Sequence, residues 1–430
     1  MFQIVFFQEI KRCINELSKF NLFIITLFST ALLYSCNISS QKAPVSENSQ
    51  WRGEGRDGIY HETGLLKEWP NEGPQLLWAF EGLGEGHTSA AIANEKIYIT
   101  GMTDDDLFLY VFDLNGQLLI KKEVGKEWDI NYNGPRSTIN VNDGKLYIYN
   151  ALGTLFCLDE KTLDEVWSID LYAEYDGRPA RGNSGVNESP LIVDEKIFIS
   201  PGGEINNIVA LNKNTGELIW TSPAKGELPG YCSPLYIDNY STPMMVTSTE
   251  NHIIALNINT GEMLWSFPQF NPHRIHPNTP LYHDGMLLSS TGWGGSMTML
   301  RLNDDGKAVE LVWKIDEPDN IMGGFIKIDN YFYTSGGQNR YWYCVNWYTG
   351  EIQYKVRSIS PCNVIFADGM LYCYSERGEM ALVKPNPKEF ELVSSFNITL
   401  GTDQHWAHTV IHRGVLYVRH GNALMAYKIK

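Results

Sequence analysis

The chain repeats itself, and the repeat limits what it can fold into. One unit reads Leu211-Asn212-Lys213-Asn214-Thr215-Gly216-Glu217-Leu218-Ile219-Trp220. It recurs from Leu256 to Trp265 around Asn259-Thr260-Gly261-Glu262, and as a variant from Val345 to Tyr354 around Thr349-Gly350-Glu351. Weaker copies run from Leu158 to Trp167 and from Leu302 to Trp313. A strand, a polar turn with glycine where φ must be positive, and a second strand ending in a large aromatic make a β-hairpin.

A second pattern precedes each hairpin: a small residue, an apolar stretch, a polar turn and an aromatic-rich strand. Ser189-Pro190-Leu191 leads in this way to Ile197-Phe198-Ile199, and Thr279-Pro280-Leu281 to Met286-Leu287-Leu288. The small position recurs at Ser89, Ser137, Ser189, Ser233, Thr279, Gly324, Asn363 and Thr409, spaced 39 to 52 residues apart. That is the period of four-stranded propeller blades. No helix of ordinary length is expected beyond residue 50. The expected fold class is all-β, an eight-bladed β-propeller. The last repeat stops after Leu424-Met425-Ala426-Tyr427, without its final aromatic strand, while Leu76-Leu77-Trp78 is a spare copy of that strand. The N-terminal strand is therefore expected to complete the last blade and remove an exposed sheet edge.

The first 36 residues are of another kind. Lys19 precedes an apolar run from Phe20 to Leu33, then Tyr34-Ser35-Cys36. A basic flank, a short apolar run and a small residue before cysteine make a secretory signal, too short for a comfortable membrane span. Leu33-Tyr34-Ser35-Cys36 resembles a bacterial lipobox, which implies acylation of Cys36. The expected organisation is a signal peptide over 1–36, a flexible tether over 37–50 and one propeller over 51–430. The expected location is the cell envelope, lipid-anchored, on the periplasmic side of the outer membrane. Several acyl chains, at about 0.8 kcal/mol per buried CH₂, would hold it there firmly.

Composition adds exclusions. Charged residues are 20% of the chain and aromatics 12%, which argues against disorder. The formal net charge is -16, without a long basic block, which speaks against nucleic acid as a partner. Beyond Cys36, Cys157, Cys232, Cys344, Cys362 and Cys373 are odd in number and irregularly spaced, with no CxxC. Cys157, Cys344 and Cys373 lie in apolar strand patterns and read as small core residues.

The Trp51-Arg52-Gly53 opening, the Thr-Gly-Glu hairpins ending in tryptophan and the Ser-Pro-Leu strand starts together resemble the quinoprotein-like propeller superfamily over roughly Trp51 to Lys430. That resemblance implies the fold and leaves the chemistry open. The superfamily includes quinone-dependent alcohol and sugar dehydrogenases. It also includes the lipid-anchored propeller subunit of the outer-membrane β-barrel assembly machinery, which binds no cofactor. The dehydrogenases need a calcium ion among carboxylate and amide oxygens, an aspartate base and flat residues around pyrroloquinoline quinone. Many of them join adjacent cysteines, a pair this chain lacks, and no calcium triad transfers to it residue by residue.

In propellers the strand starts point toward the central channel. The residues preceding the eight small positions are Thr88, Arg136, Glu188, Cys232, Asn278, Gly323, Cys362 and His408. They form either a polar pocket for a sugar, acid or quinone, or a hydrated channel with an Arg136–Glu188 ion pair between neighbouring blades. The ligand or channel candidates are His87, Arg136, Glu188, Asn278, His408 and Trp406. Only Glu188 brings a carboxylate to the aligned positions, with Asp403 and Glu85 on adjoining loops. His405 and His408 share a loop, but strand alternation aims them apart, and a transition-metal site is not expected. Tyr341-Trp342-Tyr343 and Trp347-Tyr348 read mainly as packing between blades. No nucleophile elbow, phosphate loop or dinucleotide fingerprint is present. The expected function is a non-catalytic envelope binding or scaffold module, without a cofactor, partnered by the membrane and by an envelope complex or small polar ligand. The alternatives are a dehydrogenase using pyrroloquinoline quinone with calcium, and a glycan-binding surface lipoprotein.

Overall fold

A computed structural model describes residues 48–180, 184–359 and 361–430. The expected signal peptide, Cys36 and the expected tether up to residue 47 lie outside the described residues.

Eight sheets follow one another along the chain, seven of four strands and one of five. Blade 3 shows the pattern, with Leu191–Val193, Lys196–Ile199, Ile208–Asn212 and Leu218–Ser222 joined antiparallel in order. The middle strands pack against neighbouring blades on both faces, so their apolar runs are continuous. Ile197, Phe198 and Ile199 are all fully buried. Outer strands face solvent on one side and leave Leu218 and Ile219 exposed while Trp220 turns inward. The cores lie between blades: one joins Tyr147 and Cys157 of blade 2 to Ile197 and Val209 of blade 3. The cysteines from Cys157 to Cys373 are buried and free, and Trp342, Tyr343 and Trp347 are buried too. One four-residue helix, Leu171–Glu174, occurs among the described residues.

The Thr-Gly-Glu repeat has two physical causes. Its glycine adopts positive φ, +74° at Gly216 and Gly261 and +72° at Gly350. Each of these glycines also carries the tryptophan that ends the preceding blade, and a Cβ would run into the indole of Trp167, Trp220 or Trp313. The three indoles donate Nε1–H to the carbonyls of Lys213, Ile258 and Trp347, each at 3.1 Å. Every such lock ties one blade to the next.

The ring closes as expected. Gln75–Glu81 pairs antiparallel with Ala423–Lys428, with Trp78 opposite Ala426. Trp78 then packs on Gly116 of blade 1 and donates to the Leu114 carbonyl at 3.2 Å. The closing strand thus carries the same lock as the internal blades.

Residues 48–60 form a plug across the channel. Asn48 bridges Ile92 of blade 1 and its Nδ2 donates to the Ile411 carbonyl of blade 8, while Val141 of blade 2 donates to Ser49. Arg56 donates to the Ser189 and Pro190 carbonyls of blade 3, and Arg52 to the Val364 carbonyl of blade 7. Ile59–Tyr60 then runs parallel to Cys362–Ala367 as the fifth strand of blade 7. Asn48, Ser49 and Gln50 were assigned to the tether by sequence; Asn48 and Ser49 instead bond to three blades.

Candidate functional site

Above the plug, at the mouth where each inner strand begins, the blades surround a cup of about 530 Å³. Its size is that of an ordinary small-molecule site. Trp51, held on the plug, lines it, with the guanidiniums of Arg52 and Arg56 5.5 and 5.9 Å from its ring centroid. Three imidazole–indole pairs line the same space: His408 with Trp51 at 5.5 Å, His87 with Trp406 at 5.1 Å, and His273 with Trp293 at 6.1 Å. Tyr132 packs on Trp406 at 4.9 Å.

Four of the residues singled out by sequence meet in this cup: His87, Arg136, Trp406 and His408. Arg136 donates Nη1 to the Ser184 carbonyl and to the Tyr231 hydroxyl at 3.0 Å. Its Nη2 donates to the carbonyls of Asn131 at 2.7 Å and Tyr132 at 3.1 Å. It offers the cup its charge more than its hydrogen bonds. Nδ1 of His408 lies 3.3 Å from Arg52, and burial with that guanidinium holds the imidazole well below its usual range. Burial, with Arg419 and Arg136 adding repulsion, pushes His87 down to about 3. Among the described residues neither ring nitrogen of His87 has a well-formed hydrogen bond, and the Tyr132 backbone acts on it only weakly.

Glu188 and Asn278 do not join them. Glu188 turns into the wall, where its carboxylate accepts from the Ser200 amide at 2.6 Å beside a recess of about 20 Å³. Burial raises its pKa to about 7, and its cationic neighbour is Arg56. The expected Arg136–Glu188 ion pair is therefore corrected: among the described residues Arg136 is bound by carbonyls and a phenol. Asn278 is wholly buried and donates to the Asn320 carbonyl at 2.7 Å, tying blade 5 to the following loop. Glu85 and Asp403 line an adjoining recess of about 200 Å³ that shares His87 and Tyr132 with the cup. His405 stacks on His420 at 3.6 Å and meets the Tyr374 hydroxyl at 2.6 Å, apart from the cup lining.

Sequence reasoning left out Tyr132, Tyr231 and Trp293, which stand on loops between repeats and carry no repeated signal. It took Trp51 as a mark of resemblance and missed that the plug carries it into the cup.

The lining does not fit calcium beside a quinone. Calcium takes about six to eight oxygens, several from carboxylates. Among the described residues the cup's one carboxylate, Glu376, is paired with Arg340 at 2.6 Å. Among the described residues no three His, Cys, Asp or Glu side chains converge as a metal site.

A family model described as outer membrane protein assembly factor BamB matches residues 74–227 and 180–389. Among curated proteins, quinoprotein ethanol dehydrogenase of Pseudomonas aeruginosa is 34% identical over 98 residues, 23% of this chain and 15% of that protein. Quinoprotein alcohol dehydrogenase PedH of Pseudomonas putida is 23% identical over 160 residues, 34% of this chain and 26% of that protein. The matches thus span well under a third of these curated relatives. Among solved structures, BamB from Moraxella catarrhalis superposes with a TM-score of 0.55 at 15% identity, covering 80% of this chain and 98% of that one. Quinohemoprotein alcohol dehydrogenase from Comamonas testosteroni gives 0.62 at 11% identity, covering 90% and 81%. At such identities the structural likeness speaks for the fold alone.

Proposed function

Because the chain belongs to the family described as outer membrane protein assembly factor BamB, we propose that it is a binding and scaffold module of the cell envelope. In this reading Cys36 carries the lipid, and the propeller stands on the periplasmic side of the outer membrane, within reach of an envelope complex. The observation that carries the binding role is the cup, an aromatic-walled cavity of about 530 Å³ with Trp51 on one side and Arg136, His87 and His408 around it.

The second reading is a quinone-dependent alcohol or sugar dehydrogenase, favoured by the local matches to quinoprotein dehydrogenases. Oxidation of a carbinol needs a positioned base and a polarised acceptor. The cup's carboxylate is tied to Arg340 and Glu188 lies behind the wall, which supports binding over turnover.

Mass spectrometry of the intact protein purified from its host tests the anchor and reveals any retained small molecule. Calorimetric titration with pyrroloquinoline quinone, with and without calcium, followed by dye reduction on alcohols and aldoses, tests the chemistry. The expected outcome is acylated Cys36 and no turnover. Calcium-dependent quinone binding with turnover, lost in Glu376→Gln, would establish the dehydrogenase instead.

A further inference from the structure

Four arginines crowd the channel of a chain whose net charge is -16. Arg52, Arg56, Arg136 and Arg419 are each at most 9% exposed. Their hydrogen bonds go to carbonyls, hydroxyls, two side-chain amide oxygens and one imidazole. Arg419 donates to Gly421, Thr100 and Glu85 carbonyls and to the Thr88 hydroxyl. None of the four is in an ion pair among the described residues. Asp57 acts on Arg52, and Glu188, itself raised to about 7, acts on Arg56. Glu127 near Arg136 is also raised to about 7 by burial. The channel thus holds four guanidiniums without an ion-pair partner among the described residues, with Asp57, Glu188 and Glu127 acting on three of them.

Two of the four act on His87. Arg419 and Arg136 both repel a proton there, and the ring nitrogens are left without a well-formed bond. Tyr132 and Trp406 pack beside it, and Glu85, Asn133 and Asp403 line the recess it shares. Glu376, the carboxylate of the cup, is spent on Arg340. A buried polar group without a partner is costly, so a ligand that completes it gains more than one meeting a satisfied wall.

The aromatic rings narrow the choice of ligand. Around the cup they are tilted to one another, by 42° for His87–Trp406, 54° for Tyr132–Trp406, 55° for His273–Trp293 and 75° for Trp51–His408. A flat heteroaromatic molecule is held best between parallel faces, and no such pair lines this space among the described residues. A saccharide has thickness, one C–H face for an indole and hydroxyls for the rest. Asn187, Ser89, Ser233 and Thr138 are polar groups on the lining that can meet hydroxyls.

We propose that the ligand of the cup is an acidic saccharide, a di- or oligosaccharide bearing a hexuronate, with its carboxylate at His87 beside Arg136 and Arg419 and its rings against Trp406 and Trp51. The proposal rests on the reading of the cup as a ligand site. Its carboxylate offsets the repulsion from both arginines, so binding draws a proton onto His87 and forms a charge-assisted hydrogen bond. Affinity then rises as pH falls, by up to about tenfold per pH unit.

The test is calorimetric titration of the full chain in detergent with a glucuronate-containing disaccharide and with its carboxyl-reduced, neutral counterpart. The acidic sugar should bind at least tenfold more tightly. Its dissociation constant should fall at least threefold from pH 7.5 to 5.5. The enthalpy should vary with the buffer's ionisation enthalpy in the sense of proton uptake. His87→Asn should abolish the proton uptake and flatten the pH dependence. Equal affinity for the two sugars, or binding without proton uptake, overturns the proposal and leaves the cup as a ligand site. Binding of pyrroloquinoline quinone in preference to the acidic sugar does the same. A protein that takes up none of the three overturns both the proposal and the reading on which it rests.

Discussion

His276 shows what burial does to one imidazole. It is wholly buried, Nε2 lies 3.1 Å from the Glu250 carbonyl oxygen, and Nδ1 has no partner. Burial pushes its pKa down to about 4, against an ordinary value of 6.5. Between pH 6.5 and about 4 the unfolded chain therefore binds a proton at this site that the native protein refuses, and stability falls as pH falls. The loss is at most about 1.4 kcal/mol per pH unit for this one group. Glu127 and Glu188, raised to about 7, act in the opposite sense, because their native carboxyls take up protons before unfolded ones do. The difference between parent and His276→Asn isolates the imidazole: the variant's melting temperature should drop less between pH 6.5 and 4.5, by calorimetry. Parallel curves would show that the buried ring does not resist protonation. Residues of this kind were only half legible in the sequence. Arg136 and His408 follow the rule that the residue before each inner strand faces the channel. Glu188 and Asn278 obey the same spacing but are captured sideways, by the Ser200 amide and the Asn320 carbonyl. Arg52 and Arg56 could not be read at all, since their partners include carbonyls of Val364, Ser189 and Pro190, far along the chain and independent of side-chain identity.

The hairpin with its glycine and tryptophan was legible because both residues recur from one repeat to the next, Gly216 with Trp220 and Gly261 with Trp265. Positive φ selects glycine in the turn, and the indole that packs on it ends the preceding repeat. Substituting Gly261 with Ala meets both constraints, since its Cβ would lie 2.5 Å from Trp220. Gly369, at φ +79°, has nothing within 4 Å of a built Cβ and meets only the first. Left-handed backbone costs an ordinary residue roughly 1–2 kcal/mol. Gly369→Ala should therefore lose about that much, and Gly261→Ala at least about 1 kcal/mol more, because overpacking adds its own cost. Denaturant unfolding of the two variants measures both. Equal losses would mean that the indole yields without cost and the lock between blades 3 and 4 is loose. The plug carries no such repeat, and its elements, two strand residues and a series of bonds to several blades, have no periodicity to read.

For the whole molecule, ring closure was legible from arithmetic: one strand missing at the end and one to spare near the beginning. Trp78→Ala removes the indole from Gly116 and Leu114 and should cost roughly 3 kcal/mol, the low end of the range for large aromatic truncations, since Trp78 is only half-buried. Deleting 75–81 should do far more, leaving Ala423–Lys428 as a bare edge that associates with other chains. A shortened protein that stays monomeric and melts like the parent would refute the closure. The proposed anchor is independent of the ring: Cys36→Ser should move the protein to the aqueous phase of a detergent partition without changing its melting temperature. Retention in the detergent phase would place the attachment elsewhere. Closure also imposes an order in time. Gln75–Glu81 is made long before its partner Ala423–Lys428. Until then that strand is a hydrophobic ribbon without a mate, and the seven finished blades present an open flank. Contacts so distant in sequence form slowly, and unpaired strands associate readily while they wait. The chain therefore depends on being kept apart from its neighbours until Ala423–Lys428 arrives.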